Sequence, residues 1–254
     1  MATPVELDVQ LIGHTQFHAP ADIDWETDTD GPSALLEFAG RACYETWDKP
    51  NPHTATNAAY LRHIMDVGHL AVLEHSSATM YLRGVSRSCA HEVMRHRMFS
   101  FSQLSQRYVP DDEARVIVPR SVQDNPDLER LFLQAADVAH GAYTEILDSL
   151  NEELDEGASA RVNAALRAKQ ARQAARAVLP NAAETRFVMS GNFRSWRHFI
   201  AMRATEHADP EIRRVAIACL VELQSIAPEV FEDFSITELR DKTQIATSPY
   251  VSDI

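Results

Sequence analysis

Cysteine is almost missing from this chain, with three among 254 residues, at Cys43, Cys89 and Cys219, and no Cys-x-x-Cys pair. An odd number so widely spaced supports neither a disulfide framework nor a zinc ribbon, and buried thiols acting as small hydrophobes are the expectation. No run approaches the ~18 apolar residues that a membrane span needs. The opening Met-Ala-Thr-Pro-Val-Glu lacks the basic start and apolar centre of a secretory signal, so a cytoplasmic location is expected. Glycine is also scarce, at 8 residues, and none builds a Gly-x-Gly-x-x-Gly turn or a Walker loop. A dinucleotide held in the Rossmann manner is therefore excluded, and any dinucleotide must be gripped by side chains. Basic residues are the minority, 24 against 37 acidic, for a net charge of -13 and a pI near 5.2. Such a balance argues against nonspecific binding of long nucleic acids, which depends on neutralising many phosphates at once. What remains is ample apolar content, 45%, on a length that fits one large domain or two small ones.

The chain reads as helices with strands at intervals. Val5, Leu7, Val9 and Leu11 alternate with polar residues, the period of a half-buried strand, and Met80 and Leu82 do so again. Helices are expected over Ser33–Cys43, over Thr56–Val67 behind a Thr54 or Thr56 cap, and from Ser86 into Arg95-His96-Arg97. Pro110 to Glu113 reads as an exposed break. A long helix is expected over Leu128–Leu150, a polar linker over Asn151–Ser159, and a further helix over Arg161–Leu179 that Pro180 stops. Glu184–Ser190 reads as a short strand, Asn192 as the cap of a helix to about His207, and Pro210 as the first turn of another ending near Ile226. The expected class is α+β with a small mixed or antiparallel sheet, in a single domain over residues 1–254.

Against the acidic background, cations gather in three places. The first is Arg95 to Tyr108, where three arginines and a histidine stand among hydroxyls and amides with one near carboxylate, Glu92. Mutually repelling cations placed together point to a phosphate-bearing ligand. In the second, Lys169, Arg172 and Arg176 stand at spacings of three and four and share a helix face, while Arg161 and Arg167 read as solvated. The third is Asn192 to Arg203. At about 100° per residue, Asn192 and Arg203 fall on one face of that helix and Arg194 and His198 on nearly the opposite one, so one helix can serve two ligands.

His91-Glu92-Val93-Met94-Arg95 falls short of the His-Glu-x-x-His zinc motif, because Arg95 stands where the second imidazole belongs and His96 lies about 140° around a helix from His91. Ser105 has no Gly-x-Ser-x-Gly elbow, so a hydroxyl donating to a ligand is the expected role rather than a nucleophile. Ser100 and Ser102 are equally compatible with loop capping. On residues alone, a flavoenzyme or nucleotide-modifying enzyme and a noncatalytic RNA-binding module using the Lys169–Arg176 face both stay open.

Arg95-His96-Arg97, seven residues, Ser105, then Arg107 resembles the signature of the flavin-dependent thymidylate synthases. The likeness continues through Gly40-Arg41-Ala42-Cys43-Tyr44, Gly68 to His75, the Arg-Ala-Val-Leu-Pro from Arg176 to Pro180, and Asn192 to Arg203. It implies reductive methylation of dUMP to dTMP, with methylenetetrahydrofolate as one-carbon donor and FAD reduced by NADPH. It also implies a homotetramer with shared active sites, and no partnership with nucleic acid or membrane. By this resemblance dUMP would meet Glu92, Arg95, Gln103, Leu104, Ser105, Gln106, Arg107, Arg176 and Arg203, the last being the catalytic arginine beside the uracil ring. FAD would meet Ala71, Arg95, His96, Arg97, Gln103, Asn192, Arg194 and His198. Two positions depart from the family pattern: Ala71 replaces a flavin-contacting Ser or Thr and leaves only a backbone contact, and Gln103 is a neutral amide where an acid is common.

Overall fold

The computed structural model describes residues 1–156 and 164–250. The elements run β1 (Thr3–Pro4), β2 (Asp8–His14), α1 (Gly31–Ala42), α2 (Asn57–Asp66), β3 (Ser77–Ser86), α3 (Arg87–Val93), β4 (Ser100–Gln103), β5 (Arg115–Val116), α4 (Arg120–Gln123), α5 (Pro126–Glu156) and α6 (Ala164–Ala175). They continue with β6 (Glu184–Asn192), α7 (Phe193–Arg203), α8 (Pro210–Ile226), α9 (Pro228–Phe231), β7 (Ser235–Glu238) and β8 (Gln244–Thr247). Among the described residues the strands form a four-stranded sheet of order β2-β3-β6-β4, a parallel β1-β5 pair and an antiparallel β7-β8 hairpin. This is the α+β class, rich in helix with small sheets.

Side-chain caps start several of the helices. Thr56 accepts from Ala59 N at 3.3 Å, Ser86 from Cys89 N at 2.9 Å, Asn192 from Ser195 N at 2.8 Å and Asp209 from Glu211 N at 2.8 Å. Each satisfies a backbone donor left open in a first turn. Pro210 occupies the start of α8, where a missing N–H costs nothing.

The chain divides into two compact units. The first comprises Met1–Asp8, Arg83–His91 and Ser102–Phe187. Its core gathers Ala2, Ala114, Val116, Val118 and Ala136, with Val122, Phe132 and Leu133 against them. Gly84, at φ +64, lets the backbone of Glu6 approach where a Cβ would lie 1.8 Å from its carbonyl oxygen. The second unit comprises Val9–Leu82, Glu92–Phe101 and Val188–Ile254. Ala78, Met80 and Leu82 alternate inward along β3, and Trp196, Phe199 and Phe231 are fully buried. Trp196 Nε1 donates to Ala78 O at 3.1 Å, and Phe99 meets Trp196 edge-on at 4.8 Å. Gly191 makes room for Phe99, since a Cβ there would stand 2.4 Å from the ring.

Several sequence expectations are corrected. The alternation from Val5 splits, because Thr3 N and Val5 N donate to Ala114 O and Val116 O while β2 begins only at Asp8. The helix from Ser86 ends at Val93, where Arg95 N and His96 N close tight three-residue turns on Glu92 O and Val93 O, so the cationic cluster lies in a turn. Asp111 is half-buried rather than exposed, its N–H donating to Tyr143 Oη at 3.4 Å and its carbonyl oxygen 2.6 Å from His140 Nε2. The long helix continues through Asn151 to Glu156, where good helix formers replace the expected linker, and residues 157–159 and Arg161 lie outside the described residues. Arg176 leaves the helix for a 3₁₀ turn over Arg176–Val178. β6 extends to Asn192, and α7 stops at Arg203 instead of His207. Cys89 and Cys219 are buried as expected, but Cys43 is exposed. The β7-β8 hairpin and the short α4 and α9 were not anticipated, their four residues each being too few to show a period.

Candidate functional site

In the first unit the turn after β4 carries the predicted nucleotide contacts. β6 seats it: Leu104 N donates to Arg186 O at 2.8 Å, and Gln103 Nε2 to Thr185 Oγ1 at 3.2 Å. From α6, Arg172 Nε donates to Arg107 O at 3.0 Å and Lys169 Nζ lies 4.7 Å over the Tyr108 ring. The cationic face of α6 thus braces the turn. Lys169 also draws the exposed Tyr108 hydroxyl below its usual value, chiefly by hydrogen bonding to it. The Ser105 hydroxyl accepts a long 3.4 Å bond from Arg107 N, and among the described residues no side-chain base is paired with it. Activation of a serine as a nucleophile needs a base within hydrogen-bond reach.

Among the described residues, four buried donors in this unit lack partners: Gln106 Nε2, Arg107 Nε, Arg186 Nε and Arg87 NH1. Leaving such donors unmatched costs about 1–3 kcal/mol each, and more when charged, so an acceptor with several oxygens is the natural complement. Arg87 was missed from sequence. Arg87 N and Ser88 N donate to Ala183 O and Asn181 O, which docks the start of α3 against the segment that follows Arg176. Burial first, and then Arg176, lower the Arg87 guanidinium from its ordinary value, with Asp111 opposing. Two guanidiniums this close repel each other, which marks them as candidate anion contacts. No spacing could have found Arg87, since it lies 89 positions from Arg176 in the chain.

In the second unit the turn after α3 meets the end of α7. Arg203 Nε donates to His96 Nε2 at 2.8 Å, and Arg203 NH1 stands 3.7 Å from Glu92 Oε2. His96 is buried, with its ring edge-on to Phe199 at 5.1 Å and 6.3 Å from that of His198. The expected separation of faces is corrected here: His198 and Arg203 lie about 140° apart around α7, yet both reach His96, because a long arginine at a helix end bends back toward its neighbour.

Arg95 and Arg97 of that turn are exposed, and no salt bridge engages either among the described residues. Arg194 Nη1 pairs with Glu74 Oε1 at 2.6 Å, both about half exposed, so an anion could displace that carboxylate at little cost. Ala71 is exposed in the 3₁₀ segment Leu70–His75 that also carries Glu74. The Asn192 side chain is taken by its cap, accepting from Ser195 N and Oγ. Arg197, in the same run, is structural: buried, it pairs both terminal nitrogens with Asp233, at 2.6 and 2.8 Å. Arg41, in the early resembling segment, is likewise buried and paired with Glu37. Since α3 ends before His96, the helical angle from His91 does not apply, and among the described residues no group of three His, Cys, Asp or Glu side chains could hold a metal. No described helix is long and apolar enough to cross a membrane.

The family model described as "Thymidylate synthase complementing protein" matches residues 26–229. The chain is 62% identical over 253 residues to a flavin-dependent thymidylate synthase of Corynebacterium efficiens, and 60% identical over 255 residues to one of Mycolicibacterium gilvum, each match covering 100% of both chains. Its fold resembles the crystal structure of PolB, a UMP/dUMP methylase from Streptomyces cacaoi bound with 5-Br dUMP. That match has a TM-score of 0.68 at 21% identity and covers 89% of this chain and 93% of the other.

Proposed function

The chain belongs to the flavin-dependent thymidylate synthase family, and from that premise we propose how its residues divide the methylation of dUMP to dTMP. The single observation that carries the reading is that the first unit buries unmatched donors on Gln106, Arg107, Arg186 and Arg87 in a chain of net charge -13. Arg107 and Arg176 take the substrate phosphate, with Arg87 beside Arg176, and Arg95 is a further phosphate contact that the family resemblance implies. Gln103, Leu104, Ser105 and Gln106 hydrogen-bond the nucleotide through side chain or backbone. Arg203 takes the pyrimidine, with Glu92 beside it. Uracil is a poor carbon nucleophile until charge builds on its ring nitrogen and carbonyls, and a fixed guanidinium stabilises that charge as it forms.

The donor set also fits a flavin dinucleotide. Arg95 and Arg97 are exposed cations without acid partners, and Arg194 is held only by a displaceable surface carboxylate, which suits a pyrophosphate. Arg95, His96, Arg97, Gln103, Asn192, Arg194, His198 and the Ala71 backbone would hold FAD, which supplies the redox chemistry when bound. NADPH would reduce it and methylenetetrahydrofolate would donate the carbon. The protein works in the cytoplasm as one family domain over residues 1–254, assembled as a homotetramer with shared sites. Dilution that splits the tetramer should then release flavin, which sedimentation followed at the flavin absorbance would read.

The deciding experiment is dTMP formation by purified protein given dUMP, FAD, NADPH and methylenetetrahydrofolate. Absence of product, with flavin and dUMP both bound, would sink the assignment.

A further inference from the structure

An arginine aimed at a substrate must have its plane fixed, because rotation about its long side chain otherwise spreads the donors over many directions. The Nε–H of Arg203 is the donor best placed to fix that plane, and it meets His96 Nε2 at 2.8 Å. A guanidinium nitrogen can only donate here, so Nε2 must present its lone pair and the imidazole proton must sit on Nδ1. The imidazole is 8% exposed and wedged edge-on against Phe199 at 5.1 Å, so it cannot swing away without breaking packing.

The groups facing His96 are Arg203 and His198 from α7, Arg95 from its own turn, and Glu92 at the end of α3, which reaches Arg203 NH1 at 3.7 Å. Burial first, then Arg203, His198 and Arg95, lower the imidazole to about 4. At neutral pH it is uncharged. A neutral acceptor differs from a carboxylate in one respect that matters for the reaction. It orients the guanidinium without cancelling its charge, leaving the positive charge available for the developing negative charge on the pyrimidine. Glu92, at 3.7 Å, lies beyond hydrogen-bond distance of NH1 and neutralises it less.

We propose that His96 is a positioning residue for Arg203, accepting its Nε–H as a neutral imidazole so that the NH1/NH2 edge is held for the pyrimidine without the orienting group cancelling its charge. This rests on the reading of Arg203 given above and adds to it a residue that acts through the arginine rather than through the flavin alone.

Three variants test it. His96→Gln places an amide oxygen near the position of Nε2, His96→Asn is too short to do so, and His96→Phe keeps the ring packing without an acceptor. His96→Phe and His96→Asn should lower kcat by about 10–100-fold with the KM for dUMP changed less than about threefold, as for a lost orienting bond to a charged group. His96→Gln should recover to within about fivefold of the parent enzyme. Urea unfolding and flavin titration on each variant exclude misfolding and lost cofactor as the cause, and if His96→Phe does not fold, the Gln and Asn pair still decides. Equal activity of the Gln and Asn variants would overturn the proposal, as would a parent kcat that falls through a pH near 6.5 and no longer does so in His96→Gln. Arg203→Lys separates the two layers of argument: near-normal turnover there removes the role of Arg203 itself. A weak Arg203→Lys enzyme that loses as much again on adding His96→Phe leaves Arg203 in place and refutes only the link to His96.

Discussion

Replacing Glu37 by Gln should destabilise the protein strongly, because the carboxylate is the centre of a buried network in the second unit. Glu37 is fully buried, and its carboxylate accepts from Arg41 Nε at 2.7 Å, Thr27 Oγ1 at 2.7 Å and Asn57 Nδ2 at 3.0 Å, with Lys49 Nζ at 3.2 Å. Arg41 is only 2% exposed and donates also to Thr54 O at 2.6 Å, beneath the Tyr60 ring at 4.5 Å. The amide would leave this buried guanidinium without its counter-charge and turn an N–H₂ toward a donor. Breaking a buried pair from one side costs about 3–5 kcal/mol. For a chain of this size that corresponds to a fall in Tm of roughly 6–20 °C. Urea unfolding followed by circular dichroism at fixed protein concentration would read the change without confounding it with assembly. Replacing both partners, Glu37→Met with Arg41→Met, should recover much of the loss because the buried guanidinium is then gone, and Lys49, 20% exposed, can turn its ammonium to water. A cost under about 1 kcal/mol for Glu37→Gln, or a double variant worse than the single, would refute the argument that this network holds α1, α2 and the segment before α1 together.

Arg203→Lys should keep the fold but lower turnover by roughly 100-fold, since a lysine has no Nε donor for His96 and no planar edge for uracil; near-normal dTMP synthesis would remove the assignment. Ser105→Ala should weaken nucleotide binding by only about 0.5–1.5 kcal/mol and leave measurable activity, whereas loss of all chemistry with dUMP and flavin still bound would restore the nucleophile reading. Burial raises the Asp111 carboxyl above its ordinary value, with His140 and Arg87 offsetting part of this. A raised folded-state pKa gives a contribution that is fully present below the unfolded carboxyl range and lost as pH rises through the folded value. Asp111→Asn should therefore gain stability relative to the parent as pH goes from 4 to 7, and a larger gain at pH 4, read as urea midpoints at the two values, would contradict the sign.

Local signals carried much of this protein in the sequence. The caps at Thr56, Ser86 and Asn192 and the breaks at Pro180 and Pro210 were readable because capping depends on residues within three or four positions. The Arg95–Arg107 and Asn192–Arg203 runs stood out as candidate anion contacts because clustered cations in an acidic chain are costly without a ligand. Tertiary structure alone brought Arg87 beside Arg176 and His96 onto Arg203, 107 positions away. It also separated arginines that composition could not tell apart: Arg41 and Arg197 pair with buried acids, whereas Arg95 and Arg97 remain exposed. The physical reason is range. Propensity, capping and period act over a turn or a strand, while desolvation and the pairing of charges depend on which distant segments fold against each other, and these decide whether a cation is structural or left for a ligand.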